Sequence, residues 1–145
     1  MDVQSGLFMI LSTLGLLLLI VMLISFLIKP GRKLKVSGVF KQGSGESDKT
    51  VIELQIENIG KKPMDIVYVY ARFYDRFTKK KIRLISNNIS TKLPHFIKKG
   101  ESLHCELDIG DSLDSVKKES FDPGNVKIIV ANSSSMEFLS NPLEL

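Results

Sequence analysis

Hydrophobic and polar positions fall into two regimes along this chain. Residues 6–28, GLFMILSTLGLLLLIVMLISFLI, run apolar without one charged side chain. From residue 34 onward, short stretches alternate apolar with polar and are separated by turn residues. The first regime predicts one helix. At ~1.5 Å rise per residue it would be about 34 Å long, enough to cross a hydrocarbon core of roughly 30 Å. Its small hydroxyls can bond back to helix carbonyls, so Ser12, Thr13 and Ser25 do not break the run. Lys29, Pro30 and Gly31 end it, because proline and glycine oppose helix continuation.

The second regime has the two-residue period of half-buried strands. Leu34, Val36, Gly38 and Phe40 give a first strand, and residues 42–49 a polar turn. Residues 51–58 are the cleanest strand, with Ile52, Leu54 and Ile56 inward against Glu53, Gln55 and Glu57. After a loop at 58–63, residues 64–75 read as one long strand. Val67, Val69, Ala71 and Phe73 form one face of it; Ile66, Tyr68, Tyr70, Arg72 and Tyr74 form the other, outer face. Residues 82–85 make a fourth strand, and 86–99 are irregular with a short edge segment near Ile89. Leu103, Cys105, Leu107 and Ile109 point inward from a further strand. Residues 111–119 predict a short helix, capped by Asp111 or Ser112, that packs Leu113 and Val116. Asp122-Pro-Gly-Asn125 reads as a turn. Residues 126–131 and 136–139 close the chain as a hairpin.

The expected fold is therefore a single N-terminal transmembrane α-helix followed by an all-β, antiparallel immunoglobulin-like sandwich of about seven strands. The corresponding boundaries are a leader at 1–5, the helix at 6–28, a basic linker at 29–33, the sandwich at 34–140 and a tail at 141–145. IELQIENIGKKPMDIVYVYARFYD, followed by IKKGESLHCELDI, resembles the immunoglobulin-like or fibronectin-III-like sandwiches of bacteria and archaea. Asn58, Gly60, Pro63, Gly100 and Glu101 carry that resemblance, which spans roughly residues 34–140 and implies a fold without implying a function. The antibody-type Cys…Trp…Cys pattern is absent, since the chain has no Trp and one Cys.

Charge adds a side to the membrane reading. All 20 Lys and Arg follow residue 28, against 15 of the 16 acids, so the remainder carries a formal +5. Basic residues flanking a span are retained on the cytoplasmic side, which predicts the N-terminus outside and the domain in the cytoplasm. An extracytoplasmic domain is the alternative. A cleaved signal peptide would need a basic start, a shorter apolar core and a small-residue cleavage site, and MDVQS followed by this long run supplies none of these. The charge suits an anionic bilayer surface and is too diffuse for nucleic acid. Lys29, Arg32, Lys33 and Lys35, with Arg76, Lys79, Lys80 and Lys81 in a later hairpin, are the candidate membrane-surface residues. If the two groups share a side, the domain would lie flat on the bilayer. The competing reading of the hairpin cluster is a solvated tip that discourages edge pairing. One cysteine, Cys105, allows no intrachain disulfide.

Candidate chemistry is sparse. His104 and Cys105 are strand neighbours and point to opposite faces, so they cannot share a metal ion; Cys105 is read as core and His104 as surface. Asp108, Asp111 and Asp114, beside Glu106 and Asp122, do not match a calcium loop. No nucleotide, hydrolase or zinc-protease motif is present. Gly6, Ser12 and Gly15 do not form a helix-pairing motif. The expectation is a non-enzymatic interaction module without cofactor or metal, an accessory or scaffolding subunit whose partners are the bilayer and a membrane protein. The alternative is an exported, membrane-tethered adhesion or envelope-binding domain. Ile66, Tyr68, Tyr70, Arg72 and Tyr74 are the candidate partner-binding residues, because Tyr and Arg bury much area at low entropic cost; the competing reading is ordinary cross-strand packing under neighbouring loops or the short helix.

Overall fold

A computed structural model describes residues 2–27, 31–41 and 50–145. The expected helix end at Ile28, the stop at Lys29 and Pro30, the turn at 42–49 and the candidate Lys29 lie outside the described residues. The chain divides into two compact units at Gly31/Arg32.

The first unit is one helix, α1 (Val3–Leu27). It takes in most of the expected leader: Gly6 N–H already donates to Asp2 O, so the helix begins three residues before the apolar run. Ser12 Oγ donates to Met9 O, and Thr13 Oγ1 to Met9 O and Ile10 O, as the back-bonding argument requires. Leu and Ile side chains are exposed all round it, and it is long and apolar enough to cross a membrane. A membrane anchor and a signal sequence both fit these properties.

The second unit is a mostly antiparallel β domain of ten strands in three sheets among the described residues. In chain order these are β1 (Leu34–Phe40), β2 (Val51–Asn58), β3 (Met64–Ile66), β4 (Tyr68–Asp75), β5 (Lys81–Ile85), β6 (His95–Ile97), β7 (Ser102–Asp108), β8 (Pro123–Ala131), β9 (Glu137–Leu139) and β10 (Leu143–Glu144). One helix, α2 (Gly110–Lys117), lies between β7 and β8. The order β1-β2-β7 makes one sheet, β10-β8-β4-β5 with β9 on β8 makes the second, and β3-β6 the third. Ile52, Leu54 and Ile56 from the first sheet and Val69, Ala71, Phe73, Val126, Ile128 and Val130 from the second belong to one buried cluster. Their alternation is what turns two sheets toward a common core.

Several expectations are corrected. Residues 64–75 are two strands. At Val67, whose N–H donates to Ala131 O, the chain leaves its pairing with β6 and joins β8 and β5. Residues 95–97 form a strand where none was expected. The 122–125 turn is instead the start of β8: Pro123 takes its first position, where no ladder N–H is needed, and Gly124 lets Arg76 approach. A Cβ on Gly124 would sit 3.2 Å from Arg76 Cα. α2 begins after Ile109 with no side-chain cap, since Asp108 Oδ1 accepts Gly110 N–H and Asp111 Oδ2 accepts from Asn88 Nδ2. The 141–145 tail belongs to the domain. Leu143 is buried opposite Val126, and Asn141 brackets Gly38, its Oδ1 accepting Gly38 N–H and its Nδ2 donating to Gly38 O.

Candidate interaction surface

Opposed residues of an antiparallel pair project to the same side of a sheet, so register fixes the outer face of the five-stranded sheet. Val69, Ala71 and Phe73 enter the core. Tyr68, Tyr70, Arg72 and Tyr74 therefore point away from it, as the alternation predicts. β5 adds Ile85, Arg83 and Lys81 beside them; β8 adds Ile129 and Lys127; β9 adds Leu139 and Glu137. Ile66 does not join this face. It is fully buried in the core, because the change of partner strand at Val67 breaks the alternation that would have aligned it with Tyr68.

The face is built as a stack. The rings of Tyr68 and Tyr70 lie 6.0 Å apart at 31°. Arg83 Cζ sits 3.9 Å from the Tyr70 ring centroid, and Arg83 Nη2 reaches Glu137 Oε1 at 2.7 Å. That cation-π contact and ion pair span the sheet from β5 to β9. Desolvation opposes the Arg83 charge, but hydrogen bonds to Tyr70 and Glu137 outweigh it and raise the guanidinium pKa. Ile129, on the outward side by register, is completely buried. Beyond the stack, Tyr68 is 49% exposed, Ile85 56% and Leu139 44%; Ile85 and Leu139 end one row across the sheet, with Tyr70 and Ile129 between them. A recess of about 580 Å³ adjoins it where β5 ends, lined in part by Val67, Tyr68, Ile85, Ile89 and Leu93. The other end is cationic: Arg72, Lys81 and Lys127, with Lys127 Nζ 5.5 Å from the Tyr74 ring centroid.

The expected membrane-surface residues separate into two groups. Arg76, Lys79, Lys80 and Lys81 ride the β4–β5 turn, which Asp75 organises. Asp75 Oδ2 accepts from Thr78 Oγ1 at 2.6 Å and Thr78 N–H at 2.8 Å, and its Oδ1 accepts Asp122 N–H at 2.9 Å. The Thr78 hydroxyl, with the Asp122 and other turn amides, holds the Asp75 carboxyl below its ordinary pKa. Arg76 and Asp122, 3.6 Å apart and half exposed, form an ion pair of little consequence for stability. Arg32, by contrast, reaches Ser134 in the β8–β9 turn, beside the Tyr68 end of β4. Lys33 O accepts Gly60 N–H at that same end, and Lys35 follows on β1 opposite Glu57. An eight-residue strand separates the two ends by about 24 Å. The two groups thus lie at opposite ends of the strand.

Cys105 is buried and His104 exposed, as alternation requires. Burial pushes the Cys105 thiol pKa up, against a smaller opposing hydrogen bond involving Thr91. Lys41 is held protonated by its hydrogen bond to Glu106, 2.7 Å away, which raises its pKa. Among the described residues no three His, Cys, Asp or Glu side chains converge as metal ligands. Glu137, Ile85 and Leu139 were not singled out from the sequence, since only register between distant strands brings them to the tyrosines.

No family model matches the chain, and no curated protein matches it. Among solved structures, the Northeast Structural Genomics Consortium target SoR45 is similar over 79% of this chain and 83% of its own. It shares 12% identity at a TM-score of 0.34, a distant likeness.

Proposed function

We propose that this chain is a non-enzymatic, membrane-anchored protein-interaction module, an accessory or scaffolding subunit of a membrane complex. In this reading α1 is an uncleaved anchor and the β domain is an immunoglobulin-like sandwich on the cytoplasmic side. The fold reading is supported by β1-β2-β7 in one antiparallel sheet facing β8-β4-β5 in another over one core. The basic residues that follow α1 support the orientation.

One observation carries the functional reading: Tyr68, Ile85 and Leu139 stand exposed on the same sheet face as a Tyr70–Arg83–Glu137 stack. An aromatic and apolar cluster on a rigid sheet, with arginine beside it, has the make-up of an interface hot spot. The test is purification of the full chain in mild detergent. Wild type should bring a companion protein, Tyr68→Ser with Ile85→Ser should lose it, and Lys35→Ser on the other sheet should keep it. A clean monomer without companions would sink the reading. Loss of the cooperative thermal transition in the double variant would assign the cluster to packing instead. Orientation is tested by Ser5→Cys and Ser134→Cys with an impermeant thiol reagent in intact cells, the buried Cys105 giving a low background. Labelling of Ser134→Cys, and not of Ser5→Cys, would put the domain outside.

A further inference from the structure

Asn58 gathers three segments that lie far apart in sequence. Its Nδ2 donates to Lys62 O at 2.8 Å and to Ile97 O at 3.0 Å; its Oδ1 accepts Gly60 N–H at 3.0 Å. Its backbone N–H donates to Glu101 O, and its carbonyl accepts Gly100 N–H. Lys33 O accepts the N–H groups of Ile59 and Gly60, which adds the residues just before β1. One end of the β domain is thereby assembled from residues 32–33, 58–62 and 97–101.

That end is cationic. Arg32, Lys33, Lys61, Lys62, Lys98 and Lys99 are all exposed, against the single acid Glu101 in the three segments. Glu101 is already engaged, its Oε2 accepting Lys98 N–H. None of the six cations belongs to an ion pair among the described residues. Exposed side chains of like charge gathered at one end raise a positive potential that salt screens and an anionic surface would complement.

We propose that this Asn58-centred end is a docking surface for the anionic headgroups of a lipid bilayer. The inference rests on the anchored reading given above and holds for either orientation. The occupant follows from charge and from the sequence: four residues separate Leu27, the last of α1, from Arg32. Their extended span is at most about 18 Å from Leu27 to Arg32. A domain on so short a tether meets headgroups with its first residues, and a polybasic patch is attracted to anionic lipid within a Debye length of roughly 8–10 Å. Lys61, Lys62, Lys98 and Lys99 extend the juxtamembrane Arg32 and Lys33 into a broad patch. Lys79, Lys80 and Lys81 lie at the opposite end of β4 and take no part.

The experiment is amine acylation of the full chain in lipid nanodiscs, read lysine by lysine by mass spectrometry. Discs of phosphatidylcholine alone are compared with discs containing phosphatidylglycerol, at low and high salt. Lys33, Lys61, Lys62, Lys98 and Lys99 should react about fivefold more slowly in the anionic discs at low salt and recover at high salt. Lys79, Lys80 and Lys81 should be unaffected. Lys61→Gln with Lys98→Gln and Lys99→Gln, all at exposed positions, should restore the reactivity of Lys33. Equal reactivity in both discs overturns the inference, as does protection centred on Lys79–Lys81. Salt-insensitive protection in both discs also overturns it, since it would report burial without charge. A chain that fails to enter discs at all overturns the anchored reading instead.

Discussion

Asn58 ties the end of β2 to the 59–62 loop and to residues 97–101 through both its side chain and its backbone. It is buried, and every polar atom of its side chain is used within the fold. Asn58→Ala would leave the Lys62 and Ile97 carbonyls without the Nδ2 donor, at a cost of about 1–3 kcal/mol per buried unsatisfied group, while Gly60 N–H keeps Lys33 O. Water reaching the loop offsets part of that, so the expected loss is about 2–4 kcal/mol. Urea unfolding measures it, and a midpoint within error of wild type would contradict this role. Asn58 and Gly60 stood out in the sequence as loop residues, yet the two carbonyls that the Asn58 amide satisfies could not. Those partners come from 4 and 39 residues away, a separation set by the tertiary fold.

Strands with uninterrupted alternation and one burial side were legible, as β2 and β7 are. The break at Val67 was not, because apolar residues continue through it on both faces and only a change of sheet partner marks it. That one change decides the candidate site. Tyr68, Tyr70, Arg72 and Tyr74 follow from period two, whereas Ile66 loses its place with them. β6 was missed because three residues with a single buried side chain carry no period. The β4–β5 turn supplies a prediction of its own. Asp75 has a lowered folded-state pKa, so its carboxylate stabilises the turn above the unfolded-state value, and that contribution is lost as pH falls through the folded value. Amide resonances of Thr78 and Asp122 should shift together with a midpoint below 3.8, the ordinary aspartate value. A midpoint at or above it would remove Asp75 from its organising role.

For the β domain as a whole, the edges of its sheets matter as much as its faces. β7 is covered by residues 88–90: Asn88 O accepts Asp108 N–H, and Ser90 N–H donates to Glu106 O. β5 carries Lys81 and Arg83 along its length, a composition that resists pairing with a second copy of itself. β1 is covered differently, by the Asn141 amide on both polar groups of Gly38. Gly38 suits this close approach, since a Cβ there would lie 3.1 Å from Ile52 Cγ2 and 3.4 Å from Leu143 Cδ1, so those side chains would have to give way.

In the anchored reading proposed above, copies of this chain share a bilayer plane, and chains so confined meet one another far more often than the same number in free solution. Under that crowding, an open strand edge is a template for cross-β growth. The Asn141 amide acts as a stopper: it fills the middle of the β1 edge with a side chain that cannot be extended into another ladder. Asn141→Ala should leave the core in place and open that edge. We expect thioflavin-positive, sedimentable material to form faster from the variant than from wild type at equal density in vesicles. An unchanged lag time would mean the stopper is dispensable. A shorter lag for the variant would show that one amide after β9 keeps neighbouring copies from joining edge to edge.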